Sequence, residues 1–258
     1  MATYTWAVLT ICGFSQAAYL DHGKQEVDEQ GKAIAVLKEM ECKLLVEQIR
    51  GKYYLITPKF IFPKQKQFNR IPLERLAKID KIIVPGMGLK DSHLKQLSHM
   101  KNIQCLEIYD GITSFVTDAG IKHLQRLDNL REFRFDYGSD VTDKSLKYLG
   151  KLSKLEVIII AYSKIGDSGI KHLKNISKLR ELELQSAHVS DEGLKQLIPL
   201  TYLERVDLSY NDRLTDKCLE HLQKLRKVRC VFLLGTKVSD SAVEDLRKVK
   251  PDMCILNR

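Results

Sequence analysis

Leu203-Glu204-Arg205-Val206-Asp207-Leu208-Ser209-Tyr210-Asn211-Asp212-Arg213-Leu214-Thr215-Asp216-Lys217-Cys218-Leu219-Glu220-His221-Leu222-Gln223-Lys224-Leu225 carries two apolar rhythms in one short stretch. Val206 and Leu208, preceded by Leu203, alternate with polar residues as a short strand does. Leu219, Leu222 and Leu225 recur at a spacing that puts them on one face of a helix. Thr215-Asp216 stands between the two patterns as a helix start. A hydroxyl there accepts a bond from an unpaired backbone N–H, and a carboxylate favours the positive end of the helix dipole. The stretch reads as strand, turn, helix, and such a unit cannot bury its leucines alone.

Working outward, the unit recurs. The marker aspartates are Asp91, Asp118, Asp143, Asp167, Asp191, Asp216 and Asp240, and successive positions differ by 27, 25, 24, 24, 25 and 24. The strand pattern L-x-x-L-x-L precedes each of them: Ile79/Ile82/Val84, Ile103/Leu106/Ile108, Leu130/Phe133/Phe135, Leu155/Ile158/Ile160, Leu179/Leu182/Leu184, Leu203/Val206/Leu208 and Val228/Val231/Leu233. A fixed period of this length signals a stack in which each unit buries its apolar flank on the next. Strands pack about 4.8 Å apart and helices about 10 Å apart, so the expected stack bends, with a parallel sheet inside and helices outside.

The repeat L-x-x-L-x-L…V-T-D-x-G-L-x-x-L resembles that of leucine-rich-repeat proteins, over residues 71–258. It is most similar to the repeats of F-box-associated adaptors and of bacterial leucine-rich-repeat proteins of unknown role. The resemblance implies an α/β solenoid shaped as a horseshoe, with the parallel sheet on the concave face, helices on the convex face, an N-terminal cap, about seven repeats and a C-terminal half-repeat. The family usually carries Asn or Cys three residues after the last strand leucine. Here only Asn211 matches, with Thr236 a tolerable substitute. Met87, Gly111, Gly138, Ser163 and Ala187 stand in the other copies, so the turn's hydrogen-bond ladder is expected to be incomplete.

Residues 19–70 do not follow the repeat. Ile34, Leu37 and Met40 fit a helix, and Leu44-Leu45-Val46 and Tyr53-Tyr54-Leu55-Ile56 fit two strands joined near Arg50-Gly51. The expectation is a capping subdomain, because an array needs its open core covered, and the alternative is a small separate domain with its own binding role. Pro58, Pro63 and Lys64-Gln65-Lys66-Gln67 mark the boundary loop. Residues 1–18 read either as a signal or as a leading strand or helix. Trp6–Phe14 is apolar and Ser15-Gln16-Ala17-Ala18 suits cleavage, but no Lys or Arg precedes them. The compartment stays open between cytoplasmic and exported.

The third, fifth and seventh positions of each strand motif face the concave side. Lys81, Arg134 and Arg205 are basic there, while Glu107, Glu132, Asp136, Glu181, Glu183 and Asp207 are acidic. That strip is net negative although the chain carries +9 with a pI of about 9.1. Phosphate recognition needs Lys and Arg facing the ligand, so the strip argues against nucleic acid. Tyr109, Val157, Ile159 and Phe232 add apolar points among the charges, as protein recognition does. The expected partner-binding residues are Tyr109, Glu132, Arg134, Asp136, Val157, Ile159, Glu181, Glu183, Arg205, Asp207 and Phe232, and the expected ligand is a protein segment that is basic and partly apolar.

Nothing in the sequence points to chemistry, a cofactor, a metal or a small-molecule ligand. His123, His172 and His221 share one register with Gln196 and Tyr148, a helix-flank position rather than a ligand set. Cys12, Cys42, Cys105, Cys218, Cys230 and Cys254 form no C-x-x-C pair and read as free thiols. No run is long and apolar enough to span a membrane. The functional expectation is a non-catalytic protein-interaction module. The alternative is the substrate-recognition subunit of a ubiquitin-ligase-type complex, implied by the F-box resemblance and lacking an evident three-helix segment before the array.

Overall fold

A computed structural model describes residues 79–258 except 87, 110–113 and 258, together with the backbone of residues 7–9, 44–49 and 52–56. Most of the leading segment, the helix expected around Ile34–Met40 and the boundary loop at 58–67 lie outside the described residues.

Among the described residues the strands follow chain order in one sheet of eleven. β1 (Ala7–Leu9) pairs antiparallel with β2 (Leu44–Ile49), and β2 pairs antiparallel with β3 (Lys52–Ile56). From β3 onward every pairing is parallel. These strands are β4 (Ile79–Pro85), β5 (Cys105–Tyr109), β6 (Glu132–Phe135), β7 (Val157–Ile160), β8 (Glu181–Glu183), β9 (Arg205–Asp207), β10 (Cys230–Phe232) and β11 (Cys254–Leu256). A helical segment separates each from the next: α1 (Asp91–Leu97), α2 (Asp118–Leu124), α3 (Asp143–Leu149), α4 (Asp167–Ile170), α5 (Asp191–Lys195), α6 (Cys218–Leu222) and α7 (Asp240–Val249). α4 runs on as a 3-10 turn, Lys171–Asn175.

The apolar positions of the repeat form one continuous core. The inward strand residues Leu106, Phe133, Ile158, Leu182, Val206 and Val231 are fully buried, as are Leu124, Leu149, Leu173, Leu197 and Leu222 on the helical side of the repeat. Phe133 and Phe135 are its largest side chains and meet edge to face at 6.5 Å.

The marker aspartates do more than begin helices. The Thr117 N–H and hydroxyl both donate to the Asp91 carboxylate of the preceding repeat, at 2.8 and 2.7 Å. Thr142 donates likewise to Asp118 (2.9 and 2.6 Å), Ser190 to Asp167 (2.8 and 2.6 Å), Thr215 to Asp191 (2.9 and 2.7 Å) and Ser239 to Asp216 (2.6 and 2.9 Å). At Gly166 only the N–H donates, to Asp143 at 2.7 Å. The Thr117, Thr142 and Ser239 side-chain oxygens also accept from N–H groups of their own helices, so each links its own cap to the repeat before it.

The glycine of T-D-x-G has a steric cause. A Cβ on Gly120, Gly169 or Gly193 would run into the side chain of the preceding repeat's aspartate. Ser145, Cys218 and Ala242 fill the same slot elsewhere. The Ser145 hydroxyl donates to Asp118 at 2.5 Å, turning the close approach into another bond. Burial alone would raise the Asp118 carboxyl, but bonds from Ser145 and Thr142, with Lys144 nearby, hold it below its ordinary value.

The asparagine ladder is indeed partial. Asn211 is fully buried; its Nδ2 donates to Leu184 O and Leu208 O at 2.8 and 2.9 Å, and its Oδ1 accepts from the Val189 N–H at 2.9 Å. Thr236 makes one such bond, its hydroxyl donating to Leu233 O at 2.7 Å. The Ser163 hydroxyl in the same slot has no partner, and Gly138 and Ala187 supply no polar side chain.

Candidate functional site: the inner face of the sheet

Parallel register turns the outward positions of each strand into rows across the sheet. One row runs Lys81, Cys105, Glu132, Val157, Glu181, Arg205, Cys230 and Cys254. The next runs Ile83, Glu107, Arg134, Ile159, Glu183, Asp207, Phe232 and Leu256. The structure therefore brings Glu132, Arg134, Val157, Ile159, Glu181, Glu183, Arg205 and Phe232 onto one continuous surface, while Asp207, in register with them, is buried.

Val157 and Ile159 form its centre. They are half-buried, on a strand whose alternate residues Ile158 and Ile160 are fully buried. Charged residues wall them on both sides: Glu132 and Arg134 on β6, Glu181 and Glu183 on β8. The walls are linked, since Arg134 lies 3.3 Å from Glu132 and reaches across β7 to within 3.8 Å of Glu181. Arg205 lies 3.0 Å from Glu181 and 2.9 Å from Glu183. Its guanidinium also sits 4.3 Å from the centre of the Phe232 ring, a cation–π contact. Burial raises the Glu183 carboxyl, aided by Glu181 and Asp207 and opposed by Arg205.

Two guanidiniums thus serve the three carboxylates of Glu132, Glu181 and Glu183. Asp207 is buried and engaged within the fold, accepting from Gln185 Nε2 at 2.6 Å and the Ser209 N–H at 2.9 Å. Asp136 lies just beyond the end of β6 and is exposed, and Tyr109 ends β5 half-buried. The acidic excess of the strip is therefore partly offset by its own arginines.

The rim at the strand ends holds aromatic residues that the strand motif does not include. Tyr137 and Tyr162 stack with ring centres 4.8 Å apart, and Tyr162 and Tyr210 are 49% and 58% exposed. Tyr162, Ser186 and Tyr210 adopt positive φ of 53°, 50° and 61°, as does Gly235 at 63°. The turn after the strand thus demands left-handed backbone, which glycine meets most readily, yet tyrosine occupies it twice. Their common position one residue past the strip was visible in the sequence.

His123 and His172 sit on helix flanks, where burial and neighbouring lysines lower their pKa and favour the neutral ring. No helix among the described residues is long and apolar enough to cross a membrane.

A family model described as Leucine Rich repeat matches residues 175–197 and 200–225, inside an array whose eight parallel strands alternate with helices at the same period. The chain carries leucine-rich repeats. Its solenoid is similar in fold to an internalin (inlF) of Listeria monocytogenes, with 19% identity and a TM-score of 0.56 over 72% of this chain and 56% of that one. This protein thus spans little more than half of that internalin. It is also similar to internalin C2 of the same organism, with 21% identity and a TM-score of 0.53 over 83% of this chain and 88% of that one. At such identities these likenesses establish the architecture of the leucine-rich-repeat array, while its role is argued from the site. The comparison with curated proteins found no match.

Proposed function

We propose that this leucine-rich-repeat array is a non-catalytic protein-interaction module that takes its partner on the concave face, centred on Val157 and Ile159. The observation that carries the reading is the arrangement around β7, where two solvent-facing aliphatic side chains lie between charged walls spanned by Arg134 and Arg205. Apolar contact surrounded by charge supports specific recognition, because the aliphatic centre supplies desolvation and the ring of charge fixes orientation. The acidic excess favours a segment that carries Lys or Arg beside an apolar residue. Such a cation would compete with Arg134 and Arg205 for the same carboxylates, which predicts salt-sensitive binding of moderate strength.

A photo-crosslinking residue at Ile159, with one at the exposed outer Lys147 as control, tests the reading in extracts of the native host. A protein adduct specific to position 159 and lost in Glu181→Lys/Glu183→Lys supports it. Adducts at position 147 alone, or adducts at 159 indifferent to the charge reversal, count against it. The F-box-type alternative gains no support from residues 44–56, which form a strand pair.

A further inference from the structure

The last two strands set two thiols side by side. Cys230 opens β10, Cys254 opens β11, and the two are direct partners in the parallel register. They end the inner-face row that passes through Arg205. Cys254 is exposed and Cys230 half-buried. Neighbouring strands place paired Cα atoms about 4.8 Å apart, inside the roughly 4.4–6.8 Å window a disulfide accepts. The Cys230 and Cys254 thiols lie within hydrogen-bonding reach of each other. The other described cysteines are removed from such chemistry. Cys218 is sealed in the core, and burial, with Glu132 beside it, pushes the Cys105 thiol up to about 12.

We propose that Cys230 and Cys254 are a reversible redox pair that closes into a disulfide and staples the terminal half-repeat to the array. The oxidant is a low-molecular-weight disulfide of the glutathione type. The exposed Cys254 thiol loses its proton, and its sulfur attacks one sulfur of the oxidant. The S–S bond breaks, a Cys254–glutathione mixed disulfide forms and one glutathione thiolate leaves. Cys230 then gives up its proton and attacks the Cys254 sulfur, releasing the second glutathione. Two protein thiols are oxidised and one external disulfide is reduced to two thiols, so electrons and protons balance. Burial, reinforced by the Cys254 thiol at its side, raises the Cys230 pKa and fits it to act second. The staple has structural effect because β11 is the last strand of the described sheet and pairs with β10 through three register pairs. Its further ties include Ile255, which is buried in the core, and Arg247, whose guanidinium donates to Ile255 O at 2.6 Å. The inference is independent of the concave-face reading, since Val157 and Ile159 lie away from it.

The test equilibrates the folded full-length chain in glutathione buffers of graded oxidised-to-reduced ratio, then acid-quenches, alkylates and peptide-maps it by mass spectrometry. The expected product is one cross-linked peptide pair joining the segments that bear Cys230 and Cys254, lighter by two hydrogens, which grows with the ratio and vanishes on reduction. Amide exchange in β11 slows in that form by a factor on the order of a hundred, from the loop entropy the bond removes. Cys230→Ser should instead collect glutathione on Cys254. Free thiols throughout the series, glutathione on both sulfurs without an internal bond, or Cys254 joined to a different cysteine would each overturn the proposal.

Discussion

Replacing Gly193 with alanine separates local helix preference from inter-repeat packing. In an isolated helix the change is favourable by about 1 kcal/mol, because alanine loses less backbone entropy than glycine. In this fold the added Cβ would stand 3.0 Å from Asp167 Cγ and 3.1 Å from Val189 Cγ1, with Asp167 Oδ1 nearer still. The carboxylate cannot yield freely, since it accepts from the Ser190 N–H at 2.8 Å and the Ser190 hydroxyl at 2.6 Å. Moving it aside forfeits two charge-assisted bonds. At the lower end of about 1.5–3 kcal/mol each, as suits a half-buried group, the loss is about 3 kcal/mol. Set against the helix gain, Gly193→Ala should destabilise the array by about 2 kcal/mol. Urea denaturation followed by circular dichroism reads the midpoint shift, and amide exchange at Ser190 reads the rung itself. A variant as stable as the parent, or more stable, with Ser190 protection intact would refute the steric argument and leave helix propensity in charge.

The missing hydroxyl at Gly166 can be supplied. Gly166→Ser keeps a backbone any residue adopts (φ −126°) and adds the hydroxyl that the other repeats aim at the preceding aspartate, against a tight 3.3 Å approach of its Cβ to His188 O, so thermal denaturation should show a gain of less than about 1 kcal/mol. Asn211→Ala leaves Leu184 O, Leu208 O and the Val189 N–H without their side-chain partner in a buried turn, and should cost about 3–5 kcal/mol by the same assay. The Asp118 carboxyl lies below its ordinary value of 3.8 in the folded chain. Its contribution is therefore complete above that value and is lost as the pH falls through the folded one. Stability measured from pH 6 down to 2 should decline, and Asp118→Asn should flatten that decline while lowering stability at neutral pH.

The repeat was legible because its period is fixed and its two apolar rhythms differ. Register followed at once, so spacing alone assigns Val157, Glu181 and Arg205 to one face. What each side chain does there was not legible. Arg134 reaches Glu181 over an intervening strand, which depends on side-chain reach across three strands and leaves no trace in local spacing. Asp207 alternates like an outward residue yet turns into bonds with Gln185 and Ser209. The aspartates were read as helix starts, and six of the seven are, while the helix after Asp216 begins two residues later at Cys218. Their second role needed the neighbouring repeat, although the small residues at Gly120, Ser145, Gly169, Gly193, Cys218 and Ala242 already recorded its steric half.

The chain of aspartates has a direction. Each carboxylate is completed by the unit that follows it, and the last, Asp240, takes the Asn257 side-chain amide at 2.6 Å in place of another Thr or Ser. Trimming the array from its front would orphan only a hydroxyl and an N–H, which water can serve. Trimming it from the back would strand an anion whose donors have gone. Shortened forms cut at the rear should therefore unravel further than forms cut equally deep at the front, with Asn257 completing Asp240 in the intact array.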